Sequence, residues 1–383
     1  MFLSLVSVEL SFLLIYTLKD EITSIKHVIQ TSYCFNAAKV VQNKQHNKLV
    51  LFYTPWFGRT TWPHDGISSW NLTKEDGKPC SHNCLITYNK CDLPRSDAVV
   101  FHAVDTPVAL ALKRIAHLHR NHRQRWIYFT HENPYNVKHD TAPYNGIFNW
   151  TVSYRRDSDV FYPDGYFREI ETAKDIPKDH SSTNYANGKD KLIAWAVSHC
   201  GRLRDKVVHK LLKFVPVTVF GRCDKLFNQN IYNKCKRGTE RCSSLLKTFK
   251  FYLAFENEMC FDYITEKYWD TPFLHNMIPI VMGSNYDAQV AIPGSFINVL
   301  DFPSIEALAN YIKYLDKNDT AYNEYFQWKT KYKRWKGNSW TCQLCANLHN
   351  DSLPKKVYHN LGTFWGIHSS CNSNEVQLRR LIG

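Results

Sequence analysis

The sequence predicts an α/β protein in two halves, and three observations lead there. Apolar runs alternate with amphipathic stretches, the pattern of parallel strands joined by crossover helices. The alternation stops in a polar stretch, Ala173 to Asp190, rich in Lys, Asp, Ser, Asn and Gly, and then starts again. The chain has 383 residues, 44% of them hydrophobic, which exceeds what one core usually holds and can fill two.

Phe2 to Leu18 is apolar apart from Glu9 and small hydroxyl residues, and Lys19 follows. It is slightly short for a spanning helix of about 20 residues. It lacks the positive start and small-residue cleavage site of a signal peptide, so we read residues 1–18 as a signal anchor. Residues 19–47 are polar and weakly patterned, a short stem. A first α/β domain runs over 48–172. Its apolar runs Lys48–Thr54, Asp97–Val104 and Trp126–Thr130 read as strands. Pro107 to His122 reads as a helix, with proline at its start and a basic end that suits the dipole. After the linker 173–190, a second domain spans 191–345: strand Lys191–Ser198, helix Arg202–Phe214, strand Val217–Phe220. Ser304 to Lys317 is an amphipathic helix with Ile305, Leu308, Ile312 and Leu315 on one face, and Thr320 to Trp335 is predicted as another helix. Residues 346–383 are expected to return over the first domain as a tail. No repeat of solenoid period is present.

The segment Phe249 to Gly283 carries the chemistry. A strand of alternating bulky residues (Phe249, Phe251, Leu253, Phe255) ends at Glu256-Asn257. A helix opens near Thr265 with Glu266 and Lys267 in its first turn, and a second strand, Met277 to Met282, stops at Gly283. In open α/β folds ligands sit at the carboxyl ends of strands and phosphates at helix N-termini, where unpaired N–H groups favour anions. Lys267 adds a full positive charge, so this reads as a nucleotide-phosphate site. Taken alone, Thr265-Glu266-Lys267 is also an ordinary helix cap with solvated charges. Pro272 is expected to end or kink the helix after about two turns.

The formal net charge of +13 suits a polyanion: nucleic acid, an acidic membrane surface or a phosphorylated donor. With no zinc-finger pattern, RNA-binding aromatic signature or long Lys/Arg run, nucleic acid is set aside. Twelve cysteines and sequons at Asn71, Asn149, Asn318 and Asn350 point to the secretory pathway. Asn149 sits inside an aromatic motif, which leaves Asn71, Asn318 and Asn350 as glycosylation candidates. The cysteines group as Cys80/Cys84/Cys91, Cys223/Cys235/Cys242/Cys260 and Cys342/Cys345. Cys80-x3-Cys84 with Cys342-x2-Cys345 reads either as a zinc site or as disulfides of an oxidising compartment, and spacing does not fix the pairing. His117, His119, His122, His131 and His139 form no HExxH pattern and read as surface residues.

The motifs FYLAFEN (251–257), DYITEKYW (262–269) and IPIVMG (278–283) resemble the signature of the α1,3-fucosyltransferases, the family-ten glycosyltransferases that use GDP-fucose. The likeness extends to FNWTVSYRRDSDVFYPDGYF (148–167), KLIAWAVSHC (191–200), VTVFGRC (217–223) and PGSFINVLDF (293–302), spanning roughly Lys48 to Cys345 in the expected order. It implies a GT-B-like fold, two Rossmann-like domains facing across a cleft, and disulfides tying the early cysteines to the late CQLC. It makes Glu132, in THENPYN after a strand, the catalytic base, with Asn133 where the family has serine. Without the resemblance Glu132 would read as a solvated loop residue. It makes Arg204 a phosphate contact, with Arg202 and Arg222 as neighbouring alternatives. Tyr263 would pack on the nucleoside, Glu266 would bind ribose hydroxyls, and Lys267 would neutralise phosphate charge, with Glu256 and Asn257 lining the same cleft. Arg155, Arg156, Asp157 and Asp159 read equally as a cross-domain salt-bridge network or as substrate contacts. Asp157-Ser158-Asp159 matches a metal-binding DxD in letters only, so no metal ligands are assigned and Mn is at most stimulatory.

The activity so implied is inverting transfer of L-fucose from GDP-β-L-fucose to the 3-hydroxyl of GlcNAc, on N-glycan cores or lactosamine-type glycans. The place implied is the Golgi membrane, single-pass type II, with glycoprotein N-glycans as partners. The cysteine-rich insert Cys223 to Cys242 resembles the invertebrate core-type branch. Two other readings stand beside this one: a GT-B transferase with another nucleotide-sugar donor, and a catalytically silent Golgi glycan-binding or scaffold protein.

Overall fold

The computed structural model describes residues 47–62, 80–137, 140–172, 176, 182–231, 234–283, 286–335, 339–371 and 375–383. The expected anchor and stem, the sequon at Asn71 and much of the linker lie outside them. Among the described residues no helix is long and apolar enough to cross a membrane.

The first half is a parallel sheet of order β2-β1-β3-β4-β5-β6. It comprises β1 (Lys48–Phe52), β2 (Cys84–Thr87), β3 (Ala98–His102), then helix α1 (Ala109–His119), β4 (Arg125–Thr130), β5 (Trp150–Ser153) and β6 (Val160–Phe161). Three of these strands were expected; β2, β5 and β6 are only two to four residues long and carry too little period to stand out. β5 is buried along its whole length between β4 and β6. α1 covers the sheet with Ala109, Ala111, Leu112 and Ile115; it begins at Ala109, two residues past the expected Pro107, and ends at His119, short of the expected His122.

The second half is a parallel sheet of order β12-β11-β10-β8-β9. A short strand β7 (Tyr166–Glu169) precedes it. Then come β8 (Lys191–Ala196), α2 (Leu203–Leu211), β9 (Val217–Phe220), α3 (Glu240–Leu246) and β10 (Phe249–Leu253). Two single-turn helices follow, α4 (Glu266–Trp269) and α5 (Thr271–Leu274), then β11 (Ile278–Val281), β12 (Ile297–Asn298) and α6 (Ile305–Lys317). α6 buries Ile305, Leu308, Ile312 and Leu315 as its spacing predicts, with Ser304 Oγ accepting from Ala307 N at 3.0 Å. Two all-parallel sheets, each with its own core, form the expected GT-B-like α/β arrangement.

Two local expectations are corrected. The helix from Thr265 breaks at Asp270 after one turn, and Pro272 sits in the first turn of α5, where its missing N–H costs nothing. The helix expected over Thr320–Trp335 is α7 (Asp319–Glu324), a 3-10 turn, and a strand β13 (Tyr332–Trp335). β13 pairs antiparallel with β7, Tyr332 opposite Glu169 and Trp335 opposite Tyr166. A distant partner strand, invisible to local propensity, decides that stretch.

The chain end crosses both halves. α8 (Trp340–His349) lies on the first sheet, where Cys342 bonds Cys80 and Cys345 bonds Cys84. These disulfides exclude the zinc reading of the four cysteines and agree with the implied tie. Cys200–Cys223, Cys235–Cys242 and Cys260–Cys371 complete the described bridges; of these only Cys235–Cys242 joins two cysteines of one sequence cluster, and spacing fixed none of them. α9 (Leu361–Phe364) and α10 (Ile367–Ser370) continue over the first half, with Leu361 and Trp365 in its core. α11 (Glu375–Ile382) then buries Leu378 and Leu381 in the second, so the tail reaches beyond the domain over which it was expected to return.

Candidate active site

β10 carries the chain into the buried run Ala254-Phe255-Glu256 at the carboxyl edge of the second sheet. Glu256 is 3% exposed, and its oxygens are matched closely. Thr265, the N-cap of α4, donates its backbone N–H and hydroxyl to Glu256 Oε1 at 2.8 and 2.9 Å. Lys267 Nζ lies 2.9 Å from Glu256 Oε2, 2.7 Å from Thr265 Oγ1 and 3.6 Å from Glu266 Oε1. Burial pulls the Lys267 ammonium down, but Glu256 and Glu266 outweigh it and hold its pKa above the ordinary lysine value. Burial likewise pushes Glu266 up, while Lys267, Thr265 and Arg237 hold it below the usual carboxylate range. Glu256, expected to line the cleft, instead fixes the cation in place.

Arg204 opens α2 and is buried. Its Nη1 donates to Phe255 O at 2.8 Å and its Nη2 to His199 O at 3.0 Å, clamping the carboxyl ends of β10 and β8 together. Nε meets no acceptor among the described residues and sits 4.0 Å from Asp205 Oδ1. Burial lowers the guanidinium pKa, with Asp205, Glu256 and Glu258 acting against it. Arg202 is engaged with Glu258 at 2.7 Å, and Arg222 is exposed.

Glu132 leaves the carboxyl end of β4 and is half-buried. Its Oε2 accepts from Asn136 Nδ2 at 2.6 Å; Oε1 meets no donor among the described residues. Asn133, fully buried, caps the following turn through Tyr135 N at 3.0 Å and turns its Nδ2 toward Asn257 Oδ1 at 3.4 Å. That contact joins the two halves and seats Glu132 one residue from it on one side and Glu256 one residue from it on the other. Tyr263, expected against a nucleoside, is buried with its ring 4.9 Å from Tyr154 of the first half.

Sequence reading missed Asp164. It is exposed in the turn between β6 and β7, yet Glu266, Glu256 and Asp270 crowd it with negative charge. Crowding by protein atoms and then these carboxylates push its carboxyl up to about 8, with Lys267 opposing. Gly165 beside it shows why the turn reaches so far: a β-carbon there would lie 2.3 Å from the Trp269 ring of α4. Only glycine allows that approach.

The SYRRDSDV residues are structural. Arg156 binds Asp262 bidentately, Nη2 to Oδ1 at 2.7 Å and Nε to Oδ2 at 3.1 Å, and Asp287 at 2.8 Å, both in the second half. Arg155 holds Ser370 Oγ at 2.8 Å and Asp157 at 2.7 Å; Asp159 accepts from Lys356 Nζ at 2.9 Å and Tyr358 hydroxyl at 2.8 Å. Both carboxylates of the apparent DxD are thus occupied. Cys84, Cys345 and His349 cluster closely, but both sulfurs are in disulfides. Of the sequons, Asn350 is exposed, while Asn318 caps α7 through Ala321 N at 3.1 Å. Asn149 is buried, donating to Lys356 O at 2.8 Å, which leaves no room for glycan.

Residues 45–165 match the family described as fucosyltransferase, N-terminal, and residues 186–365 match glycosyltransferase family 10 (fucosyltransferase) C-term. Alpha-(1,3)-fucosyltransferase C of Drosophila melanogaster is 31% identical over 372 residues, covering 88% of this chain and 84% of that one. Glycoprotein 3-alpha-L-fucosyltransferase A of the same organism is 32% identical over 80% of this chain and 60% of its own. A solved α1,3-fucosyltransferase with GDP superposes with a TM-score of 0.49 at 18% identity, over 87% of this chain and 98% of that one.

Proposed function

The chain belongs to glycosyltransferase family 10, the fucosyltransferases, and from that premise we propose that it transfers L-fucose from GDP-β-L-fucose to the 3-hydroxyl of a GlcNAc residue on a glycan, with inversion. The observation that carries this reading is the Asn133–Asn257 contact, which brings the carboxylate of Glu132 and the Glu256–Lys267 pair to one seam between the sheets.

In this mechanism the unpartnered Oε1 of Glu132 takes the acceptor hydroxyl proton while Asn136 orients the other oxygen. The acceptor oxygen bonds to fucose C1 from the face opposite the phosphate, the C1–O bond to GDP breaks, and the β-linkage becomes α. Negative charge growing on the diphosphate is met by Lys267, held charged by its two carboxylates, and by Arg204 at the start of α2. Glu266 takes ribose hydroxyls, and Tyr263 closes the wall between the halves. Lysine and arginine carry the leaving group, so the reaction proceeds without a divalent ion and Mn stimulates it at most. Glycoproteins are the favoured acceptors, after the glycoprotein relative, with the N-glycan core preferred on the likeness of the Cys223 to Cys242 insert, and residues 1–18 anchor the chain in the Golgi membrane with the catalytic halves in the lumen.

The test incubates the full chain with GDP-fucose and either an N-glycan core glycopeptide or N-acetyllactosamine, with and without EDTA. Fucosylated product, lost in Glu132→Gln and retained in EDTA, is expected. No product from a protein that still binds GDP would sink the catalytic reading. Transfer from a different nucleotide sugar would move the donor assignment.

A further inference from the structure

The turn that follows β1 carries a residue its backbone does not suit. Trp56 and Arg59 exchange both backbone hydrogen bonds, at 2.9 and 3.0 Å, so Phe57 and Gly58 form the tip of a two-residue turn. Both adopt left-handed backbone, φ 47° at Phe57 and 77° at Gly58. Such turns take asparagine, aspartate or glycine, and a bulky aromatic there is strained. Burial does not explain the choice, since Phe57 is 49% exposed. The surroundings hold the strained form in place. Asp105 accepts from Phe57 N at 2.7 Å and from Gly58 N at 2.9 Å. Fully buried His102 sets its Nδ1 2.5 Å from the same carboxylate. The His102 backbone is pinned in turn: its N–H donates to Thr54 Oγ1 and its carbonyl accepts from Thr106 Oγ1, each at 2.7 Å. Strained residues so firmly held gather at ligand sites.

We propose that Phe57 is the aromatic platform on which a pyranose ring of the acceptor glycan rests, an inference that builds on the fucosyl transfer proposed above. Its position agrees. β1, β3 and β4 are parallel neighbours, so the turn after β1 and Glu132 after β4 leave the same carboxyl edge. The Phe57 ring lies 4.6 Å from that of His102. His102 stands opposite Phe129 in the sheet, and Glu132 follows Phe129 by three residues. Two strand spacings put the tip roughly 10 Å from the strand of the base, a reach that a short oligosaccharide covers. A pyranose offers a face of slightly positive C–H groups to the electron-rich face of the ring and keeps its hydroxyls for polar partners. Because the turn is fixed, the ring loses little freedom when the sugar arrives. The residues assigned to the nucleotide lie in the other half, so this platform belongs to the acceptor.

The test titrates N-acetyllactosamine and an N-glycan core glycopeptide into the full chain saturated with GDP. Glycan binding is followed by saturation-transfer NMR, and GDP affinity by calorimetry. Phe57→Gly suits the backbone and so folds; Phe57→Leu keeps apolar bulk without a ring face; Phe57→Tyr keeps the face. The glycine and leucine variants are expected to weaken binding of whichever glycan the parent takes by about 5- to 10-fold, the scale of one lost aromatic contact. The tyrosine variant is expected to match the parent, with GDP affinity constant throughout. A leucine variant that binds glycan as tightly as the parent would overturn the inference. So would GDP affinity falling in step with glycan affinity, which would make Phe57 a residue of the fold. The titration reads binding without turnover, so it decides the role of Phe57 even in a chain that transfers no fucose. A parent chain that binds neither glycan would overturn this inference and the acceptor reading together.

Discussion

Lys267 lies between two carboxylates, so its charge is spoken for until a diphosphate arrives. Lys267→Met removes the cation proposed to meet the leaving group and leaves Glu256 buried with only Thr265 to satisfy it. We expect kcat/KM to fall about 100-fold or more, and stability to drop by about 3–5 kcal/mol in denaturant unfolding, the range for a buried charge stripped of its partner. Adding Glu256→Gln should restore much of the stability and none of the activity; a double variant no more stable than the single would show that the pair does not couple. Glu132→Gln separates differently: kcat falls about 100- to 10,000-fold, as for loss of a general base, with the KM for donor unchanged. Asp164 gives a pH signature. Its folded pKa near 8 lies above the unfolded carboxylate value, so the folded state holds the extra proton between them and stability falls as pH rises through about 4 to 8. Its exposure lets water relieve part of this, so the slope is shallow. Asp164→Asn should therefore gain in Tm over the parent at pH 8 and not at pH 4; an equal difference at both would refute it. Glu132, Glu266 and Lys267 could be singled out in the sequence because they lie in motifs that resemble those of the family. The carboxylate crowding on Asp164 could not, since it arises between residues about a hundred positions apart.

At the scale of elements, the turn β6–β7 and helix α4 behave as one unit. Gly165 lets the turn lie flat on Trp269, and β7 then pairs with β13, linking the first half to the segment after α7. Gly165→Ala forces the ring or the turn to move. A loss of about 1–3 kcal/mol, the usual cost of overpacking, is expected, together with a raised KM for the donor, because α4 carries Glu266 and Lys267. A variant with unchanged donor KM would separate the turn from the nucleotide site. This contact also marks the limit of reading elements from sequence. α6 was plain because its apolar residues repeat at helical spacing over thirteen residues. β13 was taken for helix because Tyr332-Lys333-Arg334-Trp335 has no strong preference of its own, and only β7 makes it a strand. α4 ended a turn early because the chain breaks at Asp270 and restarts as α5, whose first turn takes Pro272.

One place where the two halves are fastened is the loop after β10. It reaches into the first half, where Cys260 bonds Cys371 and Tyr263 packs in the core beside Tyr154. Asp262 adopts left-handed backbone at φ 58°, a conformation that Asp tolerates, and its fully buried side chain receives Arg156. The Asn133–Asn257 contact lies in the same seam, so the geometry between base and phosphate cation depends on this fastening rather than on either sheet alone. Arg156→Ala leaves the Asp262 carboxylate buried without a cation. It should cost about 3–5 kcal/mol, measured by urea unfolding, and should lower kcat more than it changes affinity for GDP, since the nucleotide residues lie within one half and the base in the other. Arg156→Ala with Asp262→Asn removes the charge as well as its partner, so stability should recover in part while kcat stays low. Recovery of both would mean that the charge, and not the seam, was what activity needed.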